Sequence, residues 1–463
     1  MSSEDEEDRL SRLPDETVSH ILSLMPTRRA VQTCVLSKRW RYSWMFVTNL
    51  DFDDKHIPSI FERDLYPGFD IHNYPDLNKL IKFVDRVLEF YKPSQVKLFR
   101  LQLIHTVTPL CVPKWIDKAV SLNVREFDIR LIELDLPLSL FTCKTLTKLT
   151  LNRARGEYYD WECPSGVDLP CLKTLDIHAY TKPFVNVFKL ISGCPILETL
   201  SLEVEWNKDE EDYIFNIPTL KRMKLALQCS IRNNKIVLNV PNLECLFVGG
   251  NSCSHFVFED VSSLVEACVS YYEIAYDQLW VELLMGVSGV ESFSVETVRP
   301  LKGCNIPFIS PYPLFPNMKH MELKGYWDAG QILQFLESSP HLKHLCIEDA
   351  DRFFKLGEST WTEPKVVPGC MVKSLTTIKF LKCKKQKWDK KFLKYMLRNA
   401  QVLKTVTVVL ENFCVEEETR LGAEFRKFPK ASPYCEIRFR GRCSPSTDIQ
   451  FSLVKSGIEK LEL

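Results

Sequence analysis

The chain has 463 residues, 45% of them hydrophobic and 26% charged, the composition of a folded chain of two to four domains or of one extended repeat structure. Lysine plus arginine and aspartate plus glutamate each total 60, a balance that argues against nucleic acid or a membrane surface as default partner. No apolar run approaches the roughly eighteen residues of a membrane span, and the acidic start at Met1 to Asp8 does not read as a secretory signal, so an intracellular chain is expected.

Residues 1–8 read as a disordered acidic tail. Pro14, Asp15 and Glu16 then suit a helix start, and Val18, Ile21, Leu22 and Met25 make one apolar stripe that ends at Pro26. Thr27 is placed to cap a second helix carrying Ala30, Val31, Cys34 and Val35. Ser37 is placed to cap a third, with Trp40 and Trp44 one turn apart. A unit of about forty residues seldom buries enough surface to stand alone. Its excess apolar face needs a cover, and two readings stay open: a helical cap on the rest of this chain, or a docking surface for another protein.

From Asp51 to Asn78 no period is visible, and Pro58, Pro67, Gly68 and Pro75 suggest a loop-rich connector. A helix resumes at Leu80, Val84, Val87, Leu88 and Tyr91 and stops at Pro93. Then a frame L-x-x-L-x-L begins, with apolar residues at offsets 0, 3 and 5. It runs from Val96/Phe99/Leu101 through Leu146/Leu149/Leu151, Leu197/Leu200/Leu202, Leu243/Leu246/Val248 and Leu342/Leu345/Ile347 to Leu403/Val406/Val408. Thirteen such frames start mostly 21 to 28 residues apart, with one interval of 33 and one weak member, Leu264/Ala267/Val269. This is the period of leucine-rich repeats, each giving one strand to a curved parallel sheet.

Phe184, Val187, Phe188 and Ile191, and likewise Ile332, Phe335 and Leu336, form crossover helices ended by Pro195 and Pro340. The units around Pro218 and Pro241 are too short for a helix and should return by extended segments or turns. The asparagine usual after the last leucine is replaced by Ala154, Tyr180 and Glu205, so an irregular solenoid without the common amide ladder is expected.

Offsets 2, 4 and 6 should face outward on the concave side. They read Lys148, Thr150, Asn152; Thr174, Asp176, His178; Arg222, Lys224; Cys245, Phe247; His320, Glu322, Lys324; and His344, Cys346, Glu348. The mixture of charge, imidazole and aromatic suits a binding surface; the plain alternative is a solvated sheet. Arg222, Lys224, Phe247, His320, Glu322, His344 and Glu348 are the candidate target-binding residues, with Phe247 as contact anchor.

Chemistry is sparse. Seventeen cysteines read as reduced thiols used as small apolar residues; the closest pairs, such as Cys163/Cys171, lie eight apart, so there is no C-x-x-C. No glycine-rich phosphate loop, G-x-S-x-G or H-E-x-x-H occurs, and His341 and His344 are spaced to flank a strand, not to share a metal. No catalytic residue, metal or cofactor is expected. The basic run Lys379 to Arg398 reads as the solvated side of a turn and helix backed by Phe392, Met396 and Ala400, in preference to a nucleic-acid patch.

Leu13-Pro14 followed by Ile21-Leu22, Leu24, Val31, Val35, Ser37-Lys38-Arg39-Trp40 and Trp44 resembles the F-box motif, in the S-K-R-W form common in plant F-box proteins. The resemblance implies binding to the Skp-type adaptor of a cullin–RING ubiquitin ligase. Carried over by position, Leu13, Pro14, Ile21, Leu22, Val31 and Val35 would supply adaptor contacts, with Trp40 packing the unit. Near the other end, Trp361, Pro364, Val367-Pro368, Cys370, Leu375, Tyr395, Leu397-Arg398-Asn399-Ala400, Leu403-Lys404, Ser432-Pro433 and Cys435-Glu436-Ile437 resemble the FBD domain. Its usual glycine- and glutamate-containing turn is replaced by Lys382 to Lys387.

The expected architecture is α/β: tail 1–8, three-helix F-box 9–50, connector and first helix 51–95, an irregular leucine-rich solenoid 96–360 with convex helices, FBD domain 361–440 and a final segment 441–463. Through the resemblance, the chain is a non-catalytic, target-recognition subunit of an SCF-type ligase with an unknown protein target, expected in nucleus or cytoplasm. A small-molecule-dependent receptor and a non-degradative scaffold remain as alternatives.

Overall fold

The computed structural model describes residues 13–55, 57, 75–104, 111–131, 136–153, 163–179, 184–206, 212–229, 235–251, 255–271, 277–297, 312–325, 327, 329–348, 363–383, 390–410 and 415–441. The acidic tail, most of the connector, Ala154, Tyr180, Trp361, Lys384 to Lys387 and residues 442–463 lie outside them. The chain falls into two compact units, Met1–Glu205 and Trp206–Leu463.

The first unit opens with α1 (Asp15–Ser23) and α2 (Thr27–Gln32), then β1 (Asn49–Asp53), α3 (Pro75–Phe90), β2 (Leu98–Gln102) and α4 (Cys111–Ser121). It continues with β3 (Glu126–Leu131), α5 (Leu138–Phe141), β4 (Lys148–Arg153), β5 (Thr174–Ala179), α6 (Phe184–Ser192) and β6 (Thr199–Trp206). Strands β1 to β6 are parallel and lie side by side in chain order. The ladder thus starts one strand before the expected array: Leu50 and Phe52 of β1 stand opposite Phe99 and Leu101 of β2. Phe52, Phe99 and Phe127 meet across three strands at 5.8 and 5.5 Å, the first pair tilted and the second edge-on, with Phe83 of α3 edge-on to Phe52.

The second unit carries β7 (Tyr213–Asn216), β8 (Arg222–Cys229), β9 (Lys235–Asn239), β10 (Cys245–Asn251), β11 (His255–Asp260), β12 (Glu266–Tyr271) and α7 (Asp277–Gly286). After them come β13 (Ser292–Thr297), β14 (His320–Gly325), α8 (Ala329–Ser338), β15 (His344–Glu348), α9 (Gly369–Lys373) and β16 (Thr377–Cys383). It closes with α10 (Lys390–Asn399), β17 (Thr405–Leu410), α11 (Val415–Arg426) and β18 (Glu436–Gly441). Its main sheet runs β8-β10-β12-β13-β14-β15-β16-β17-β18, all parallel. The units around Pro218 and Pro241 return by strands, as their length requires: β7, β9 and β11 form a second parallel sheet in the order β11-β9-β7.

Every residue of all thirteen L-x-x-L-x-L frames is buried, the weak one included. Alternation does this: one strand face packs into the core while the other carries the polar residues and is only partly open, with Thr150, Ser201 and Ser294 buried along its middle row. In the second unit the core gathers on Phe335 of α8, with Tyr312 at 4.5 Å, Trp327 at 5.9 Å, Phe293 at 6.2 Å and Phe315 at 6.3 Å.

The prolines do more than end helices. Leu172, Leu197, Leu220, Leu243, Met318 and Leu342 each donate their N–H to the carbonyl three residues back, closing a turn into the coming strand. Pro170, Pro195, Pro218, Pro241, Pro316 and Pro340 hold the second position of those turns, where a fixed φ suits the corner. Side-chain amides link some corners. Asn242 donates to the carbonyl of Pro218 at 2.7 Å, and Asn317 to that of Gly289 at 3.1 Å. Inter-repeat amide bonds are therefore present, on the turn side instead of the usual position.

The expected third helix is a 3-10 turn, Ser43–Phe46. Ser37 accepts the Trp40 N–H at 3.4 Å, but the chain then closes by three-residue steps, Ser43 to Trp40 and Met45 to Tyr42. Thr27 begins α2 without capping it, because its hydroxyl is bonded elsewhere.

Candidate functional site

Two surfaces of this fold carry the candidate residues. The first is the N-terminal helical unit. Val18 and Leu22 of α1, Ala30 of α2 and Trp40 form its interior. Trp40, 7% exposed, packs the unit as expected, but Leu22, at 1%, is enclosed and offers no surface to a partner. Pro14 and Val35 are exposed, while Leu13, Ile21 and Val31 are half-buried. Leu24 (72%), Leu36 (67%), Tyr42 and Phe46 add exposed apolar surface that the sequence reading left out. These side chains are apolar surface that the unit itself leaves uncovered.

Arg39, within the S-K-R-W segment, organises that face. Its guanidinium donates to the Asp15 carboxylate at 2.7 and 3.1 Å and to the Leu13 carbonyl. It thereby pins the Leu13-Pro14 segment and the start of α1 to the S-K-R-W segment. The unit is also tied to the sheet. The Thr48 N–H donates to Ser23 Oγ at 2.9 Å, Asn49 Nδ2 to the Ser23 carbonyl at 3.1 Å, and the Tyr91 hydroxyl to the Val47 carbonyl at 2.8 Å.

The second surface is the open sheet face. In the first unit Arg100 lies between Asp128 at 2.7 Å and Asp51 at 3.4 Å, and His178 lies 3.5 Å from Glu203. In the second unit the target candidates fall into two groups. Arg222 and Lys224 on β8 stand opposite Cys245 and Phe247 on β10, with the Lys224 ammonium 5.7 Å from the Phe247 ring centre. Farther along, His320, Glu322 and Lys324 on β14 stand opposite His344, Cys346 and Glu348 on β15.

The imidazoles of His320 and His344 stack at 4.6 Å and 13°, and His344 Nδ1 lies 2.6 Å from the Thr377 hydroxyl. Burial, then the neighbouring imidazole and the nearby lysines, hold His344 down at about 4. Burial likewise lowers His320. His341 is exposed in the turn before β15; the ring that meets His344 comes from the adjacent strand, a neighbour that sequence spacing does not show. Burial opposes the charge of Lys324, but Glu322 at 3.4 Å and Glu348 at 3.8 Å hold its pKa above the ordinary value.

Between the two groups lie Glu266, Cys268 and Ser270 on β12 and Ser292, Ser294 and Glu296 on β13, in register with both. The weak frame at Leu264 hid the first three. The thiols of Cys245 and Cys268 are pushed up to about 12 by burial and are unreactive neutral groups there.

In the basic run, Lys391, Lys394 and Arg398 of α10 are exposed while Phe392, Met396 and Ala400 are buried, the plain reading of a solvated helix side. No helix among the described residues is long and apolar enough to cross a membrane.

Comparison with known proteins agrees with this layout. The F-box domain model matches residues 10–49, the leucine-rich-repeat model of the FBD-associated F-box protein At5g56370 matches 112–268, and the FBD model matches 363–408. The chain is similar to the F-box/LRR-repeat protein At4g14103 of Arabidopsis thaliana, 31% identical over 74% of this chain and 91% of that protein. It is also similar to the FBD-associated F-box protein At4g10400 of the same plant, 29% identical over 96% of this chain and all of that protein. An N-terminal helical unit with an Arg39-pinned Leu-Pro segment, a parallel repeat sheet and an FBD match at the far end place the chain in one family: it belongs to the FBD-associated F-box/LRR-repeat proteins.

Proposed function

We propose that this F-box protein is the target-recognition subunit of an SCF-type cullin–RING ubiquitin ligase. The helical unit docks a Skp-type adaptor, and the open sheet face holds a target protein. The observation that carries this is the exposed apolar set Leu24, Val35, Leu36, Tyr42 and Phe46, with Pro14 exposed on the same helical unit. The chain itself performs no chemistry; it raises the effective concentration of the target near the transferring enzyme. Nucleus and cytoplasm are its expected compartments.

The test is the double substitution Leu13→Asp with Pro14→Ala in the full chain. Adaptor co-purification is lost while the thermal melt stays near that of the unsubstituted protein. Adaptor that still co-purifies in full overturns the proposal.

A further inference from the structure

The open face of the second unit balances its charges differently from that of the first. In the first unit Arg100 is shared between two aspartates. Across β12 to β15 the outward carboxylates are Glu266, Glu296, Glu322 and Glu348, against Lys324 and two imidazoles that burial keeps neutral near pH 7. Serines hold two of the acids: Ser270 Oγ donates to Glu296 at 3.1 Å and Ser294 Oγ to Glu322 at 3.2 Å. A hydroxyl fixes a carboxylate in place without cancelling its charge, so this stretch keeps a negative excess.

Glu266 adds a second, independent feature. Its Oε1 is shut off from solvent and accepts no hydrogen bond from the protein. An acceptor in that state forfeits its hydration with nothing in return, which disfavours the ionised form, although the side chain as a whole is half-buried and not enclosed. Burial pushes the carboxyl up to about 7, so it stands ready to ionise when a cation arrives. One strand away lies Phe247. A Cβ on Gly249 would come within 2.7 Å of its ring, so the ring lies across the glycine, and its face already receives the Lys224 ammonium. Such a surface suits the methylene stem and charged head of a basic side chain.

We propose that the β12–β15 stretch of this face binds a cationic segment of the target, with one basic side chain set against Glu266, another against Glu296 four residues farther along the sheet, and Phe247 as the apolar flank. The inference rests on the reading of the protein as a target-recognition subunit. A basic head group at the half-buried Glu266 side chain favours its ionised form and offsets the negative excess, and charge-assisted pairs of this kind are the strong ones. An acidic segment would have to use Arg222 and Lys224 and would face the carboxylates of β12 to β15.

The test uses the purified full chain and two fluorescent peptides, one alternating lysine and serine, the other alternating glutamate and serine. The lysine peptide binds, and more weakly as salt rises. Glu266→Gln with Glu296→Gln weakens it by about tenfold or more, the equivalent of about 1.4 kcal/mol. Arg222→Gln with Lys224→Gln does not weaken it, because two cations beside the site are removed. Should the glutamine pair melt early, Glu296→Gln alone is used, with a smaller loss expected. Equal binding by the glutamine variants, preference for the glutamate peptide, or binding of neither peptide overturns the inference. Adaptor co-purification from the same preparations reads the ligase assignment separately, since none of these residues lies in the helical unit.

Discussion

The hydroxyl of Thr27 accepts a 2.7 Å hydrogen bond from the backbone N–H of Asp51. A residue that opens the second helix of the F-box thus satisfies a donor of the first strand, and Ser23 does the same for Thr48. Docking unit and repeat sheet are joined by specific polar contacts.

Thr27→Val together with Ser23→Ala should therefore loosen that joint. Buried donors left unsatisfied cost about 1–3 kcal/mol each. The melting temperature should fall by several degrees while the adaptor still binds, because neither side chain is on the exposed face. Hydrogen exchange at Thr48 and Asp51 should rise selectively; unchanged exchange there would show that the two bonds hold nothing.

Arg39→Ala acts on the docking face from behind. Without the guanidinium, Leu13-Pro14 and the start of α1 are no longer held to the Ser37 to Trp40 segment, and adaptor affinity should fall by about tenfold, the scale of roughly 1–2 kcal/mol of lost pre-organisation. Arg39→Lys should rescue only part of it, since an ammonium lacks the fork that serves Asp15 and the Leu13 carbonyl together. A titration of purified adaptor reads both.

Gly325 ends β14 with φ at +86°, and a Cβ there would lie 1.9 Å from the Thr297 carbonyl oxygen. Gly325→Ala should cost at least about 1–3 kcal/mol, seen as a lower denaturant midpoint. A neutral outcome would mean that the end of β14 relaxes freely.

The acid side of the stability curve has contributions of both signs: His344, with the stacked His320 acting in the same direction, stands against Glu266. His344 binds its proton less readily folded, at about 4 against 6.5, so its contribution is full above pH 6.5 and is lost as pH falls toward 4. Glu266 has the reverse sign: raised from 4.5 to about 7, its contribution is full below pH 4.5 and is lost as pH rises through 7. Over pH 5 to 6.5 the two slopes oppose. Glu266→Gln should leave stability rising more steeply with pH across that window, and His344→Gln should leave it rising less steeply. Melts at intervals of half a pH unit separate them.

Much of this was readable from the residues. The L-x-x-L-x-L frames are set by strand alternation, a local rule, and every one is buried. The strand return around Pro218 and Pro241 followed from chain length alone. What escaped needed non-local facts. Strand β1 has its frame at Leu50 and Phe52, but its partner residues are Phe99 and Leu101, far beyond the repeat period. The 3-10 turn at Ser43–Phe46 arises because the chain must bring Thr48 back to Ser23, which a continuing helix would prevent. On the open face, His320 meets His344 and Ser270 meets Glu296 only through inter-strand register. The adaptor face was named from motif positions, which do not separate enclosed Leu22 from exposed Leu24.

The joint at Thr27 also bears on how loss-of-docking controls are built. β1 has a sheet partner on one side only among the described residues, and its Asp51 N–H is covered by the helical unit. Bare strand margins recruit other chains. Deleting residues 1–50 would cut β1 after Leu50 and uncover the margin of β2, so a truncated protein would self-associate for reasons unrelated to the adaptor. Point substitution at Leu13 and Pro14 leaves that margin guarded and is the cleaner control.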